Sequence, residues 1–517
     1  MQSDTSAASL YLDGRPLTLS EINAVAASAR PVAITSEALT RVSRSRQVIE
    51  EILATDQTVY GVNTGFGKLA DVRIPADKLA QLQTNLVRSH ACGLGDPLSE
   101  PESRAMLLLR ANVLAKGHSG VRSSLLELLV AMLNAGVHPI VPCRGSVGAS
   151  GDLAPLAHLA LVVIGEGEAM HHGRRMPGAE ALAAAGLRPI QLAAKEGLAL
   201  LNGTQAMTAV GALTICHALH LAQAADLAGA MSLEALMGTP AAFDPRIHQA
   251  RPHAGQVASA EHLLSLLEGS EIRESHRHQN DDPRVQDAYC LRCMPQVHGA
   301  VRDVLRHVAD ILETESGSAT DNPLVFPDSD VDQKIKRQEV ISGGNFHGAP
   351  LAYAFDYAAI ALTDLASIAE RRIDRLINPD INEGLPAFLC ADAGLSSGYM
   401  IAHVTAAALL NECKVLAHPS STDSVPTSGG KEDHVSMGMT GALKLRQITQ
   451  NLEFILAIEM MCAAQGLDYR APLKPSPTVA RAHAAIRAVV PHLDEDRIPA
   501  PDIEAVADLL REGKFAP

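Results

Sequence analysis

The sequence predicts a mostly α protein, and three observations carry that prediction. Hydrophobic residues make up 47% of the 517, yet aromatics are only 3% and Trp is absent. A core of Ala, Leu, Val, Ile and Met suits close-packed helices better than a β-sandwich, which draws on aromatic and β-branched side chains. Ala- and Leu-rich stretches recur at 196–238, 258–268, 295–314, 349–377, 401–417, 438–465 and 477–490. Helix start and stop signals punctuate the chain as well.

Taken in order, Asp13-Gly14 predicts a tight reversal between short extended pieces. Thr18-Leu-Ser-Glu21 has the capping-box pattern and opens a helix over "INAVAASA". "RAMLLLRANVLAKG" and "SSLLELLVAMLNAG" read as helices, each closing on a glycine. "GSVGASGDLAPLAH", 145–158, reads as a tight turn leading into an apolar helix. Residues 197–225 contain no Asp, Glu, Lys or Arg and are long enough to span a bilayer. They hold Asn202, Gln205, His217, His220 and Gln223, however, with no basic cluster or aromatic belt beside them. The segment therefore reads as a buried helix rather than a membrane span. Polar loops are expected at 60–75, 142–152, 270–290, 315–345 and 418–434. Reactive groups concentrate on loops held by a rigid scaffold.

Lys plus Arg number 43 against 58 Asp plus Glu, a net charge of −15, and no basic run is present. That balance argues against nucleic acid as the main partner. The first residues, "MQSDTSAASLYLDGRPL", lack a charged-then-apolar signal pattern. Eight scattered Cys then read as reduced thiols of a cytoplasmic protein.

Several motifs bear on chemistry. In "YGVNTGFGKLA", 60–70, Lys68 is followed by Leu69, so a P-loop fails. Gly65 to Ala70 fits a loose dinucleotide pattern, but no βαβ alternation surrounds it. The glycines more simply let a backbone wrap something, and Tyr60 at the loop's start is a candidate acid or base. His276, His278, Cys290 and Cys293 raise zinc, yet His-x-His on a solvated loop points its side chains apart. Arg292 in "YCLRC" is more telling, because a guanidinium can hold a carboxylate through two parallel hydrogen bonds. His90 in "RSHACG", Asn202 in "LLNGTQ" and Glu432 in "GGKEDHV" complete the set. Each of these three alone serves structure as readily as chemistry.

Together, "YGVNTGFG", "RSHACG", "GSVGASGDLAPLAH", "LLNGTQ", "YCLRCMPQVHGA", "TDNPLVF", "ISGGNFHG" and "EDHVSMG" occur in an order that resembles the aromatic amino acid lyase family. The resemblance runs from about residue 10 to 510. His90 with "EDHVSM" is similar to the histidine branch; the phenylalanine and tyrosine lyases typically carry an amide in place of Glu432.

The resemblance implies a mostly α fold with an elongated central helical bundle of the aspartase/fumarase-like lyase type. It implies a smaller N-terminal part, 1–225, bearing the electrophile, and a bundle with the C-terminal part over 226–517. Ala149, Ser150 and Gly151 would cyclise and lose water to give 4-methylidene-imidazol-5-one (MIO), with Asp152 assisting and no external cofactor or metal. Bulk at 149 or 151 would obstruct ring closure. The implied reaction is deamination of L-histidine to trans-urocanate and ammonia, opening histidine breakdown. Tyr60 would remove the β-proton, its phenol drawn down by loop amides and helix N-termini. Arg292 would bind the α-carboxylate, and Asn202 and Tyr289 would hydrogen-bond around the MIO, with Gln286 supporting Tyr289. His90 and Glu432 would recognise the imidazole, and Phe346 would line the pocket. The assembly implied is a homotetramer whose sites draw on more than one subunit.

A family member acting on tyrosine or phenylalanine is the alternative, against which His90 and Glu432 argue. Intact Ala149-Ser150-Gly151, Tyr60 and Arg292 argue against a merely structural member. Three features depart from the family pattern: a long charged loop at 327–339, His118 where an aromatic is expected, and Lys431 where Gln is common.

Overall fold

The computed structural model describes residues 8–55, 57–276, 284–327 and 339–515. The capping box forms: the Glu21 amide donates to the Thr18 hydroxyl, and Glu21 Oε2 accepts from the Thr18 amide at 2.9 Å. It starts α1 (Leu19–Ser28). The chain reverses at Asp13-Gly14 as expected, but the extended pieces do not pair across that turn. β1 (Leu10–Leu12) pairs in parallel with β2 (Val32–Ile34), on the far side of α1. Asn112 is the reason: it accepts from the Gly14 amide at 3.2 Å and donates to the Arg15 carbonyl at 2.9 Å, steering the chain into α1.

The described residues fall into two compact units. The first comprises 1–213, 309–355 and 419–443. It contains α2 (Ser36–Leu53), α3 (Leu79–His90), α4 (Glu100–Ala115), α5 (Ser123–Asn134), α6 (Leu153–Val163), α7 (Gly178–Ala184) and α8 (Glu196–Leu201), and the start of α9 (Gln205–Ala235). Its remaining strands are short: β3 (Leu94–Pro97) with β5 (Pro142–Arg144), β4 (Val137–Pro139) with β6 (Glu168–His171) and β7 (Arg174–Pro177), and β8 (Leu324–Val325) with β9 (Val340–Ile341). At its centre is α4, buried on every side from Glu102 to Ala115 and packed on α1 and α5. Arg104 on this helix donates to the Val25 and Ala26 carbonyls, which sit in the last turns of α1. Helix ends leave such carbonyls without intrahelical donors, so a buried guanidinium is well matched to them.

The second unit comprises 214–308, 356–418 and 444–517. Its helices are α10 (Pro245–Gln249), α11 (Ala254–Leu266), α12 (Glu271–Glu274) and α13 (Tyr289–Arg292), followed by α14 (Met294–Ser316), α15 (Ala349–Ile377), α16 (Met400–Leu416), α17 (Gly438–Asp468), α18 (Pro477–Val489) and α19 (Ala500–Arg511). Most of the divisions between the units fall inside the long helices α9, α14, α15 and α17. A paired polar network lies in this core. Arg372 and Glu459 are fully buried and joined by two hydrogen bonds of 2.5 and 2.9 Å. Ser232 donates to the same carboxylate at 2.7 Å. Buried charges persist when partnered in this way.

The uncharged segment is buried as expected, but it is not one helix. It breaks at Asn202-Gly203-Thr204 into α8 and α9. The cause is Arg110 of α4, fully buried, which donates to the Asn202 carbonyl at 3.0 Å, to Gln205 Oε1 at 2.5 Å and to the Ala199 carbonyl. These contacts give the interrupted backbone another set of partners. α9 and α15 are long and apolar enough to cross a membrane, and 72% of each apolar window is buried inside the protein. The charged loop at 327–339 lies almost entirely outside the described residues, as does His278 of the zinc motif.

Candidate active site

The Gly-rich turn before α6 is pinned from three directions. The Met437 amide donates to Val147 O at 2.8 Å, the Gly348 amide to Gly148 O at 3.1 Å, and Ser436 Oγ to Gly148 O at 2.8 Å. Ala149-Ser150-Gly151 then runs flush against the α8–α9 break. Gly151 has φ +72°, and a Cβ there would stand 2.1 Å from the Gly203 carbonyl oxygen. Only glycine fits this conformation in this space. The Asp152 amide donates to the same Gly203 oxygen at 2.7 Å, and Asn202 Nδ2 donates to the Ser150 carbonyl at 2.9 Å.

Asp152 is fully buried. Its carboxylate accepts from the Met207 amide in the first turn of α9 and from Ser146 Oγ, both at 2.8 Å. Burial nevertheless dominates and pushes its carboxyl up to about 6. A carboxyl shifted in this way beside the tripeptide marks a candidate acid–base group.

Ser150 opens onto a cavity of about 320 Å³ within the first unit. Tyr60, His90, Asn202, Phe346 and Glu432 line it with Ser150, as do Asn322 and Ser428. Leu86, Leu153, Leu198 and Leu201 supply apolar wall. Ser150 Oγ donates to Glu432 Oε1 at 2.6 Å, and Thr427 Oγ1 donates to Glu432 Oε2 at 2.7 Å. Burial pushes the Glu432 carboxyl up, but the hydroxyls of Ser150, Thr427 and Ser428, with His90, outweigh it and hold the group below its ordinary value. His90 Nδ1 lies 2.9 Å from the Leu86 carbonyl. A carbonyl only accepts, so Nδ1 carries the proton and neutral His90 keeps Nε2 as an acceptor. Burial is the largest influence on its pKa and lowers it, against the Leu86 carbonyl and Glu432.

The expected lowering of the Tyr60 phenol is corrected. Burial is the largest influence and raises it; the Gly67 amide pulls the other way, while Glu432 and Asp321 add to the rise. Among the described residues the Gly67 amide is what draws the phenol down, and it does not outweigh burial and the two carboxylates.

Gln286, Tyr289 and Arg292 belong to the second unit and are not among the residues lining the cavity. Gln286 and Tyr289 are exposed, Tyr289 at 70%. The Arg292 guanidinium stacks 4.5 Å from the Tyr289 ring centroid, and its buried Nε has no partner. His276 Nε2 meets the Gly238 carbonyl at 3.2 Å. His118 fills the place of the expected aromatic, its ring 5.0 Å from Phe326. Lys431 is exposed and does not line the cavity.

Sequence reasoning missed Thr427, Ser428, Asn322 and Arg110. The first two lie in a loop already marked as polar, and Asn322 in a quoted motif without a role. Arg110 had a signal, a cation inside an apolar helical run.

The aromatic amino acid lyase model matches residues 17–488. The chain belongs to the aromatic amino acid lyase family. A histidine ammonia-lyase from Koribacter versatilis is 57% identical over 514 residues, 98% of each chain. The crystal structure of histidine ammonia-lyase from Trypanosoma cruzi superposes with a TM-score of 0.89 at 44% identity, covering 98% of this chain and 94% of that one. A tyrosine aminomutase from Streptomyces globisporus superposes with a TM-score of 0.93 at 40% identity, covering 98% of both. The mostly α lyase fold is therefore shared across members of differing chemistry.

The surroundings of the tripeptide fit the MIO of this family. Gly151 has no side chain where one would collide, Ala149 is small and buried, and Asp152 is a buried carboxyl beside them. Asn202 Oδ1 is buried without a hydrogen-bond partner, an acceptor left open beside Ser150.

Proposed function

We propose that this chain is an ammonia-lyase that converts L-histidine to trans-urocanate and ammonia. One observation carries the reading: the crowded Ala149-Ser150-Gly151 turn faces, across a single cavity, an imidazole and a carboxylate suited to a second imidazole. Residues 149–151 would form MIO, with Asp152 as the base that assists ring closure. That group supplies an electrophilic methylidene carbon, which makes a poor amine leaving group a better one.

The chain's own residues do the rest. Glu432 accepts the ring N–H of the substrate imidazole, and His90 flanks that ring in the same cavity. Phe346 closes the apolar side of the ring. Asn202 offers Oδ1 to the substrate amine. Tyr60 takes the β-proton, which requires a cation to bring its raised phenol into range. Arg292 is that cation in our reading. It binds the α-carboxylate, with Tyr289 beside it and Gln286 behind, contributed by another copy of the chain.

A homotetramer is part of the same reading. α15 exposes Tyr353, Tyr357 and Ile360 at 62, 50 and 50%, spaced by four and three residues, and α16 exposes Ile401 and Val404 at 58 and 55%. Such apolar stripes on long helices need cover. All eight cysteines are free, which supports a cytoplasmic location. The net charge of −15 supports a small-molecule substrate without nucleic acid.

The likeness to a tyrosine aminomutase gives a second reading, an aromatic substrate with a phenol or phenyl ring. Ultraviolet absorbance of the purified protein with L-histidine, L-tyrosine and L-phenylalanine in parallel separates them. Urocanate from histidine alone is expected. Product only from tyrosine or phenylalanine overturns the imidazole roles of His90 and Glu432 and leaves the tripeptide chemistry standing.

A further inference from the structure

The 2.6 Å contact between Ser150 Oγ and Glu432 Oε1 can exist only in a chain whose serine is still intact. If residues 149–151 mature as proposed above, that oxygen is lost. The carboxylate that is read as the imidazole partner thus has an earlier partner, the hydroxyl that must leave. Thr427 Oγ1 holds the other carboxylate oxygen at 2.7 Å, and the Thr427 and Glu432 backbones pair at 2.8 Å. Glu432 is therefore fixed, and it is the ionisable side chain hydrogen-bonded to the departing oxygen.

We propose that Glu432 also acts in making the electrophile, as the acid–base group that carries Ser150 Oγ away as water. This rests on the reading that Ala149-Ser150-Gly151 matures to MIO. Ring closure joins Gly151 N to the Ala149 carbonyl carbon. The Ala149 oxygen leaves as the first water with the amide protons of Ser150 and Gly151, and a C=N bond forms between Ala149 and Ser150. In the second dehydration the Ser150 Cα–H bond breaks, and its electron pair becomes the Cα=Cβ bond. The Cβ–Oγ pair leaves with oxygen. The Cα proton is relayed to the Glu432 carboxylate and passed to Oγ, which departs as water with its own proton and this one. The carboxylate is regenerated, and Oε1 is then free for a substrate N–H.

Proton handling by a positioned side chain contributes about 100- to 10,000-fold, whereas selecting one of three staggered rotamers contributes about threefold. The two contributions can be told apart by substitution. Glu432→Ala removes both, and Glu432→Gln keeps shape and an acceptor oxygen but cannot relay a proton. The experiment is intact mass against time on newly synthesised chain without substrate, with circular dichroism as the fold control. Wild type should become two waters lighter. Both variants should stall one water lighter and finish roughly 100-fold more slowly, and Glu432→Asp should recover part of the rate. Glu432→Gln maturing at the wild-type rate overturns the proposal, and it carries the test alone if Glu432→Ala does not fold. A wild-type chain that stays at full mass overturns the reading of the tripeptide itself, and the proposal with it.

Discussion

At Asp152 a single buried carboxyl carries a cost in stability. Its folded pKa is about 6, raised by burial from the ordinary aspartate value. A carboxyl raised in the folded state contributes its stability below the unfolded pKa of about 3.9, and that contribution is lost as pH rises through about 6. Above that window the protein holds a buried carboxylate at a cost on the order of 3 kcal/mol. Asp152→Asn removes the charge and keeps the shape, with an amide oxygen still able to accept from Met207. It is expected to melt at or above the wild-type temperature at pH 8, yet to remain at full mass. Calorimetry beside mass spectrometry checks both halves; a less stable chain that still dehydrates would mean that Asp152 serves structure alone. Tyr60 makes the complementary point. Its place at the cavity was legible from the Gly-rich loop, but the direction of its shift was not, because burial and the through-space influence of Glu432 and Asp321 have no local sequence signature.

At the scale of elements, the site depends on a helix that stops and starts again. The α8–α9 break delivers the Asn202 side chain to the Ser150 carbonyl and the Gly203 carbonyl to the Asp152 amide. Gly203 has φ +154°, and a Cβ there would lie 2.4 Å from Gln205 Oε1 and 2.5 Å from Arg110 Nη1. Gly203→Ala should therefore cost about 1–3 kcal/mol of stability and displace the tripeptide's back wall, slowing dehydration. Denaturant melts with intact mass report both, and a variant equal to wild type in each would show that the break tolerates side chains. The long helices were legible because an Ala/Leu pattern at helical period survives without any knowledge of neighbours. The ranges expected at 349–377, 401–417 and 477–490 became α15, α16 and α18 with ends moved by a residue at most. The break was not legible, since nothing uncharged between 197 and 225 announces a buried arginine from α4. β1 was misjudged for the same reason: its partner lies beyond a helix, and the Asn112 that directs the chain is some 100 residues away. Motif order, by contrast, brought out Tyr60, His90, Ser150, Asn202, Phe346 and Glu432, all of which line one cavity.

At the scale of the molecule, the cavity holds groups suited to an imidazole and an amine, and among the described residues that line it there is no Lys or Arg for a carboxylate. The arginine read for that task, Arg292, lies in the other unit beside an exposed Tyr289. If copies of the chain complete one another's sites, two different defects should compensate. Ser150→Ala abolishes the electrophile and leaves Arg292 intact; Arg292→Ala does the reverse. Each alone should be inactive, the first also remaining at full mass and the second dehydrating normally. Mixed in one assembly, some sites draw Ser150 from the chain that has it and Arg292 from the other chain, and are wholly native. With equal expression and random closed assembly, roughly a quarter of sites qualify. Co-expressed chains with distinct tags, purified on both, should therefore recover a sizeable fraction of urocanate production, while separately purified chains mixed without dissociation recover none. Full inactivity of the doubly tagged assembly would place the carboxylate-binding cation within the same chain as the electrophile. It would then be the Tyr60 environment, rather than the assembly, that needs another source of positive charge.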